Sequence, residues 1–116
     1  MNLPSLIEKE PQIPPIIAVD FDGTLVEDRF PDIGEQKLST WYAVENWRKE
    51  NPDGKVVLWT CRTGQNLKAA VDYCAKRGLH FDAINDNIDE VKIRYGENAR
   101  KVYANAYWDD RAVYID

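Results

Sequence analysis

A chain of 116 residues, 44% of them hydrophobic and 11% aromatic, is long enough for one folded domain and too apolar to be disordered throughout. Its net charge of −5 at pH 7 argues against broad nucleic-acid binding, because a phosphate backbone requires a basic surface stripe. The sequence has no apolar run that could cross a bilayer and no signal-peptide pattern, so we expect a cytoplasmic protein with no membrane partner.

The first apolar run of the chain is followed by two acids. Residues 1–15 contain four prolines and predict an extended arm before a single domain at 16–116. Ile16–Val19 has the composition of a central parallel strand that is buried on both faces. Asp20 and Asp22 come directly after it, and two carboxylates spaced two residues apart on an extended chain repel each other unless a cation or a shared proton relieves the repulsion. Oxygen ligands alone favour Mg²⁺.

The remaining pattern alternates strands and helices. In chain order, the sequence predicts a loop over 25–34, a helix over 35–50, a strand over 56–60, a helix over 65–77, a strand over 80–84, an unassigned segment over 85–98, a strand over 105–108, and a strand or docked tail over 113–115. Strands and helices that alternate with short connections indicate an α/β fold with a central parallel sheet.

Four segments of this pattern resemble the motifs of the haloacid dehalogenase superfamily, in the same order. Asp20-Phe21-Asp22-Gly23-Thr24 resembles motif I, the strand ending in Thr60 resembles motif II, and Tyr107-Trp108-Asp109-Asp110 resembles motif IV. Lys101 resembles the lysine of motif III, with the adjacent Arg100 as the other candidate. The resemblance covers residue 16 to the C-terminus and implies a three-layer, Rossmann-like core.

The resemblance implies a Mg²⁺-dependent phosphomonoesterase that works through an aspartyl-phosphate. Asp20 would be the nucleophile, Asp22 the general acid and then the general base, and Lys101 a stabilising charge. Mg²⁺ would be held by the Asp20 side chain, the Asp22 backbone carbonyl, Asp109 and, directly or through water, Asp110. The phosphoryl-binding residues would be Thr60, Cys61, Arg62 and Lys101. Arg62 is close enough in sequence to reach either a phosphate or an acid.

The two cysteines and the single histidine support no competing chemistry. A thiol phosphatase needs an arginine six residues after its cysteine, and the residue six positions after Cys61 is Leu67. The chain also lacks the paired cysteine spacing of a zinc site, and His80 alone cannot form an imidazole cluster. Carboxylates are therefore the main candidates for catalysis.

The gaps between the motifs are short, so we expect an enzyme without an inserted cap domain. Its selectivity would then depend on residues 85–98, on a second copy of the chain, or on the segment after motif I, which the resemblance implies is a small turn and hairpin flap over the site. The substrate would be a phosphorylated small molecule or a phosphorylated macromolecular end. Two alternatives stay open: a phosphate-binding or scaffold protein without turnover, and a phosphotransferase that uses the same residues.

Overall fold

A parallel sheet forms the centre of the molecule. The computed structural model describes residues 12–96 and 98–111. Its strands are β1 (Ile16–Val19), β2 (Val26–Arg29), β3 (Asp32–Gln36), β4 (Lys55–Leu58), β5 (Ala83–Ile84) and β6 (Ala106–Trp108), and its helices are α1 (Leu38–Glu50), α2 (Gly64–Lys76) and α3 (Asp89–Tyr95). Four strands pair in the order β5-β4-β1-β6, all parallel. The predicted α/β fold with a central parallel sheet is confirmed.

Helices cover both faces of this sheet. Alternate residues of β1 point to opposite faces. On one face, Ile17 and Val19 pack with Val44 of α1 and Ala70 of α2. On the other face, Ile16 and Ala18 pack with Val91 of α3. All four β1 side chains are at most 1% exposed. The result is a three-layer arrangement in which β1 is the most deeply buried strand, as its unbroken apolar run predicts.

The segment after β1 forms a hairpin, as the resemblance implies, and not the irregular loop that its composition alone predicts. β2 and β3 pair antiparallel, with Val26 opposite Gln36 and Arg29 opposite Asp32. Residues 35 and 36 therefore belong to a strand, and the predicted start of the first helix at residue 35 is wrong. The helix begins at Leu38, after the cross-strand hydrogen bonds of the hairpin have ended.

The large apolar side chains of α1 face the core only in part. Leu38 and Tyr42 are 52% and 60% exposed, and Trp41, Val44 and Trp47 are the side chains that pack on the sheet. These three lie at i, i+3 and i+6, so the buried stripe follows helical spacing but is narrower than the full set of large apolar residues.

Two further boundaries differ from the sequence prediction. β5 has two residues, not the five predicted over 80–84. The carbonyl of His80 accepts a hydrogen bond from Arg48 on α1, and the backbone hydrogen bonds to β4 begin only at Asp82. The unassigned segment 85–98 contains α3, which Gly96 ends in a left-handed conformation with φ of 80°.

The strand or tail predicted at 113–115, and most of the N-terminal arm, lie outside the described residues. None of the helices described is both long and apolar enough to span a membrane.

Candidate active site

The chain turns sharply where β1 ends. The backbone N–H of Asp20 still donates to Trp108 of β6, at 3.0 Å. The carbonyl of Phe21 then accepts the N–H groups of Thr24, Leu25 and Val26 at 2.9–3.2 Å. This tight turn holds Asp20 and Asp22 at the carboxyl edge of the sheet and leads directly into the hairpin.

A second pair of acids reaches the same edge from β6. The N–H of Asp110 donates to the hydroxyl of Thr24 at 3.1 Å, which fixes the end of β6 to the turn. Gly23, at φ of 85°, lets the carboxylate of Asp110 lie against the turn: a Cβ at this position would be 2.7 Å from the Asp110 carboxyl carbon. Gly23 is therefore required both by the backbone conformation and by the acid that packs on it.

Three carboxylates converge at this edge. One oxygen from each of Asp20, Asp109 and Asp110 lies within 4.8 Å of the other two. They border a cavity of about 290 Å³, which we call the acid cavity. Seven predicted site residues line it: Asp20, Asp22, Thr60, Cys61, Arg62, Asp109 and Asp110. Five carboxylates and two guanidinium groups line the cavity in all, so its formal charge is negative.

The environment of Asp20 opposes its ionisation. The pKa of Asp20 is raised from 3.8 to about 6, mainly by burial and also by the nearby charges of Asp109, Asp110 and Asp22, whereas the hydrogen bond from the N–H of Phe21 acts in the opposite direction. That hydrogen bond, at 2.7 Å, uses one oxygen of the carboxylate. A bound cation would offset both the burial and the repulsion.

The cluster suits a hard divalent cation. All three side chains offer oxygen atoms, the ligands that Mg²⁺ prefers, and they come from two strands held in register. Asp109 accepts the N–H of Arg111 on one oxygen at 2.9 Å, which orients the carboxylate. The residues present therefore fit the metal that the sequence predicts, with Asp20, Asp109 and Asp110 as its side-chain ligands.

Thr60 follows β4 and is held by a residue that the sequence analysis missed. The N–H of Thr60 donates to the Asn85 side chain at 2.7 Å, and the Thr60 hydroxyl accepts the N–H of Arg62 at 3.1 Å. Asn85 follows β5 and adopts a positive φ of 51°. A signal for it was present, since Asn85 is a polar residue directly after an apolar strand. Cys61, between Thr60 and Arg62, is an exposed free thiol.

Arg62 does not face the cavity as a free phosphate ligand. Its side chain is 1% exposed, and two of its nitrogens donate to the two carboxylate oxygens of Asp22, each at 2.8 Å. Of the two possibilities that the sequence left open, the structure shows the contact with an acid. The Asp22 side chain is accordingly occupied by Arg62, and its carboxylate is not part of the three-acid cluster.

Lys101, to which the resemblance gives a stabilising charge, is not among the described residues that line the acid cavity. It borders a separate cavity of about 340 Å³ together with Tyr95, Tyr103 and Tyr107, which we call the tyrosine cavity. Asn87 holds the backbone of this segment, because its side-chain amide donates to the carbonyl of Lys101 at 3.2 Å and to two other acceptors in the same segment. These bonds tie the segment to the face of the sheet that α3 covers.

Lys37 is the basic residue that the structure places beside the acids instead. Its ammonium group donates to the carbonyl of Gly23 at 3.0 Å, and its side chain borders a cavity of about 380 Å³ next to Asp109 and Asp110. Nothing in the sequence distinguished Lys37 from other charged residues before α1. Its position depends on the hairpin, which brings the start of α1 back to the turn after β1.

Comparisons with known proteins give a match among solved structures. No protein-family model matches the sequence, and no curated protein matches it. A solved structure, that of the conserved protein coded by a locus of Bacteroides thetaiotaomicron, is 38% identical in sequence and superimposes with a TM-score of 0.73. The match covers 84% of this chain and 77% of the Bacteroides chain.

Proposed function

This chain belongs to the same family as the conserved Bacteroides thetaiotaomicron protein, and from the site described above we propose that it is a Mg²⁺-dependent phosphomonoesterase of the haloacid dehalogenase type. The observation that carries the proposal is the convergence of Asp20 from β1 with Asp109 and Asp110 from β6, with oxygens within 4.8 Å of one another. The same acids follow the strands that resemble motifs I and IV of that superfamily.

The charge of the acid cavity supports a metal-dependent reaction on an anion. A phosphate monoester is anionic and would be repelled by a cavity lined by five carboxylates and two guanidinium groups. Asp20, Asp109 and Asp110 would hold the Mg²⁺ ion. When bound, the ion neutralises charge on the phosphoryl oxygens and on Asp20, so that the two anions can approach each other.

Asp20 is the proposed nucleophile. One of its oxygens accepts the N–H of Phe21, which leaves the other to attack phosphorus in line with the leaving oxygen. A bond forms between Asp20 and phosphorus as the bond to the leaving oxygen breaks, giving an aspartyl-phosphate. Water then attacks the phosphorus, which releases inorganic phosphate and restores the carboxylate.

Thr60 is the proposed hydrogen-bond donor to the phosphoryl group. Because its hydroxyl oxygen already accepts the N–H of Arg62, its proton is free to point toward a ligand in the cavity. Asn85 fixes the backbone of Thr60 from the opposite side. A donor held in this way before the substrate arrives costs little reorganisation during the reaction.

Asp22 is the proposed proton acceptor for the attacking water. Both of its oxygens accept N–H groups from Arg62, an arrangement that suits the carboxylate form and therefore the role of a base. Protonation of the leaving group, the earlier role that the resemblance implies, requires the O–H proton of protonated Asp22 to point away from the N–H donors of Arg62 and toward the leaving oxygen.

The size of the acid cavity bears on the substrate. About 290 Å³ is at the small end of the roughly 300–1,000 Å³ typical of ligand pockets. It has room for a phosphoryl group and part of a small leaving group, so a larger leaving group would extend past the hairpin. Small phosphorylated molecules and phosphorylated macromolecular ends both fit this description.

The test is phosphate release from a panel of phosphomonoesters, with Mg²⁺ or with a chelator. Asp20→Asn removes the nucleophile and nearly preserves the shape of the side chain, so it should abolish release. Asp53→Asn is the matched control, because Asp53 is an exposed acid in the turn before β4, at the opposite edge of the sheet. It should behave as the wild type does.

The outcomes separate the hypotheses. Release that needs Mg²⁺ and is lost only in Asp20→Asn would support the phosphomonoesterase. Turnover that survives in Asp20→Asn would refute a covalent mechanism on Asp20. Mg²⁺ binding without release from any substrate would favour a phosphate-binding role, and transfer to an added alcohol would favour a phosphotransferase.

A further inference from the structure

Arg62 is the most completely satisfied polar side chain of the site. Besides its two bonds to Asp22, it donates to three backbone carbonyls: Asp32 at 2.9 Å, Pro31 at 3.2 Å and Asn66 at 3.3 Å. A guanidinium group has five N–H donors. Five hydrogen bonds therefore use its full donor capacity, and none remains for a phosphate.

Two aromatic rings complete the environment of Arg62. The guanidinium carbon lies 5.0 Å from the centre of the Phe21 ring and 5.1 Å from that of the Phe30 ring. Phe21 is fully buried beneath the turn after β1, whereas Phe30 is 50% exposed at the tip of the hairpin. Arg62 thus contacts the turn after β1 and the tip of the hairpin at the same time.

These contacts link two parts of the site that the sheet does not connect. The side chain of Arg62 binds both parts. It donates to the carbonyls of Pro31 and Asp32 at the hairpin tip and to the carboxylate of Asp22. A displacement of the tip would break the bonds on one side of Arg62 and remove support from Asp22 on the other.

We infer that Arg62 is a positioning residue, which holds the carboxylate of Asp22 and the tip of the β2–β3 hairpin in one unit, so that the closed hairpin and the oriented base form and break together. The inference deepens the proposed function and rests on it where turnover is concerned. It replaces the direct role in phosphate binding that the sequence predicts for Arg62.

The experiment compares the full chain with Arg62→Met, Arg62→Lys and Arg29→Met. Arg29→Met is the matched control, because Arg29 lies on the same hairpin but is exposed and, among the residues that the structure describes, pairs only with Glu27. Arg62→Lys keeps the buried positive charge and loses the forked geometry, so it remains informative if Arg62→Met fails to fold. Asp20→Asn is measured alongside them.

Three quantities are measured for each variant: kcat and KM with a small phosphomonoester, the inhibition constant of inorganic phosphate, and hydrogen exchange of the amides over 26–36 without substrate. We expect both Arg62 variants to lose roughly 10–100-fold in kcat, the scale of loss from a misplaced catalytic group. The inhibition constant of phosphate should stay close to its wild-type value, and the hairpin amides should exchange faster. Arg29→Met should change none of these quantities.

Other outcomes would overturn the inference. An inhibition constant for phosphate that rises tenfold or more at preserved kcat would make Arg62 a phosphate ligand. Wild-type exchange of the hairpin in folded Arg62 variants would show that Arg62 does not hold it. If Asp20→Asn retains turnover, the proposed function fails separately, and the exchange measurement still decides whether Arg62 holds the hairpin.

Discussion

Two groups of acids follow strands of the same sheet, and they differ in what balances their charge. The first is Asp86, which follows β5 and has its own partners. Its carboxylate accepts hydrogen bonds from the ammonium of Lys92 at 2.9 Å and from the side-chain amide of Asn98 at 2.8 Å. In the cluster of Asp20, Asp109 and Asp110, no lysine or arginine of the described residues lies within ion-pair distance.

The pKa values of the two groups express the same difference. Hydrogen bonds from Lys92 and Asn98 hold the pKa of Asp86 below its ordinary value, whereas burial and like charges raise the pKa of Asp20 to about 6. An acid with its own partners stabilises the fold. An acid that is half-buried among other acids destabilises the fold, and a bound cation would supply the missing charge.

Removing one ligand of the proposed cation should give the largest effect. Asp109→Asn should weaken Mg²⁺ binding by roughly 100-fold, since it removes one of three carboxylates from a small, strongly hydrated ion. Asp86→Asn, the matched change in the internally paired group, should leave the affinity nearly unchanged. Titration calorimetry with Mg²⁺ measures both. Equal weakening by the two substitutions would show that the two groups do not differ as described.

Gly23→Ala should disturb the acid cluster through its backbone. A side chain at φ of 85° costs about 1–2 kcal/mol, and the added methyl group would displace the carboxylate of Asp110. The free energy of unfolding should fall by about that amount, and the affinity for Mg²⁺ should fall with it. Urea denaturation and the same titration test these two effects. Gly78→Ala is a useful control, because Gly78 also has a positive φ but lies at the end of α2, away from the acids.

The two groups should also respond to pH with opposite signs. Because the folded pKa of Asp20 is about 6 and its ordinary value is 3.8, the folded state binds the proton more tightly, and stability should fall as pH rises from about 4 to 6. For Asp86 the folded pKa is the lower one, so its contribution is present above about pH 4 and is lost as pH falls further.

Urea denaturation of the metal-free protein between pH 3 and 7 measures these slopes. Asp20→Asn should remove the decline between pH 4 and 6 and stabilise the protein at neutral pH by about 1 kcal/mol, a value reduced for the solvent screening of a half-exposed group. Asp86→Asn should destabilise it at neutral pH. A loss of stability in both variants would contradict the comparison.

The sequence determined which strands and which acids meet, because those features depend on local pattern. The apolar run of Ile16–Val19 placed β1 at the centre, and parallel strands necessarily bring Asp20 and Asp109 to one edge. The partner of Arg62 could not be chosen from the sequence. Asp22 lies 40 residues away, and only the folded loops decide whether the guanidinium group meets it or the cavity.

Side chains that act through long-range contacts were missed for the same reason. Lys37 reaches the turn at Gly23 only because the hairpin folds back on itself, and no periodicity encodes that path. Asn87 binds the segment that carries Lys101 through four hydrogen bonds over sequence separations of 11 to 16 residues. A motif lysine identified by order along the chain can therefore be drawn to another face of the sheet.

The smallest effect on turnover is expected from a substitution of Lys101, which tests the position of this side chain in the tyrosine cavity. Lys101→Met keeps most of the aliphatic stem in the tyrosine cavity and leaves the backbone carbonyl that binds Asn87 intact. We expect kcat/KM for phosphate release to change by less than roughly threefold. Thr60→Val, at a residue that lines the acid cavity, should lose roughly 10–100-fold, as expected for one oxyanion donor. If Lys101→Met instead loses as much as Thr60→Val, Lys101 must reach the phosphoryl group during turnover.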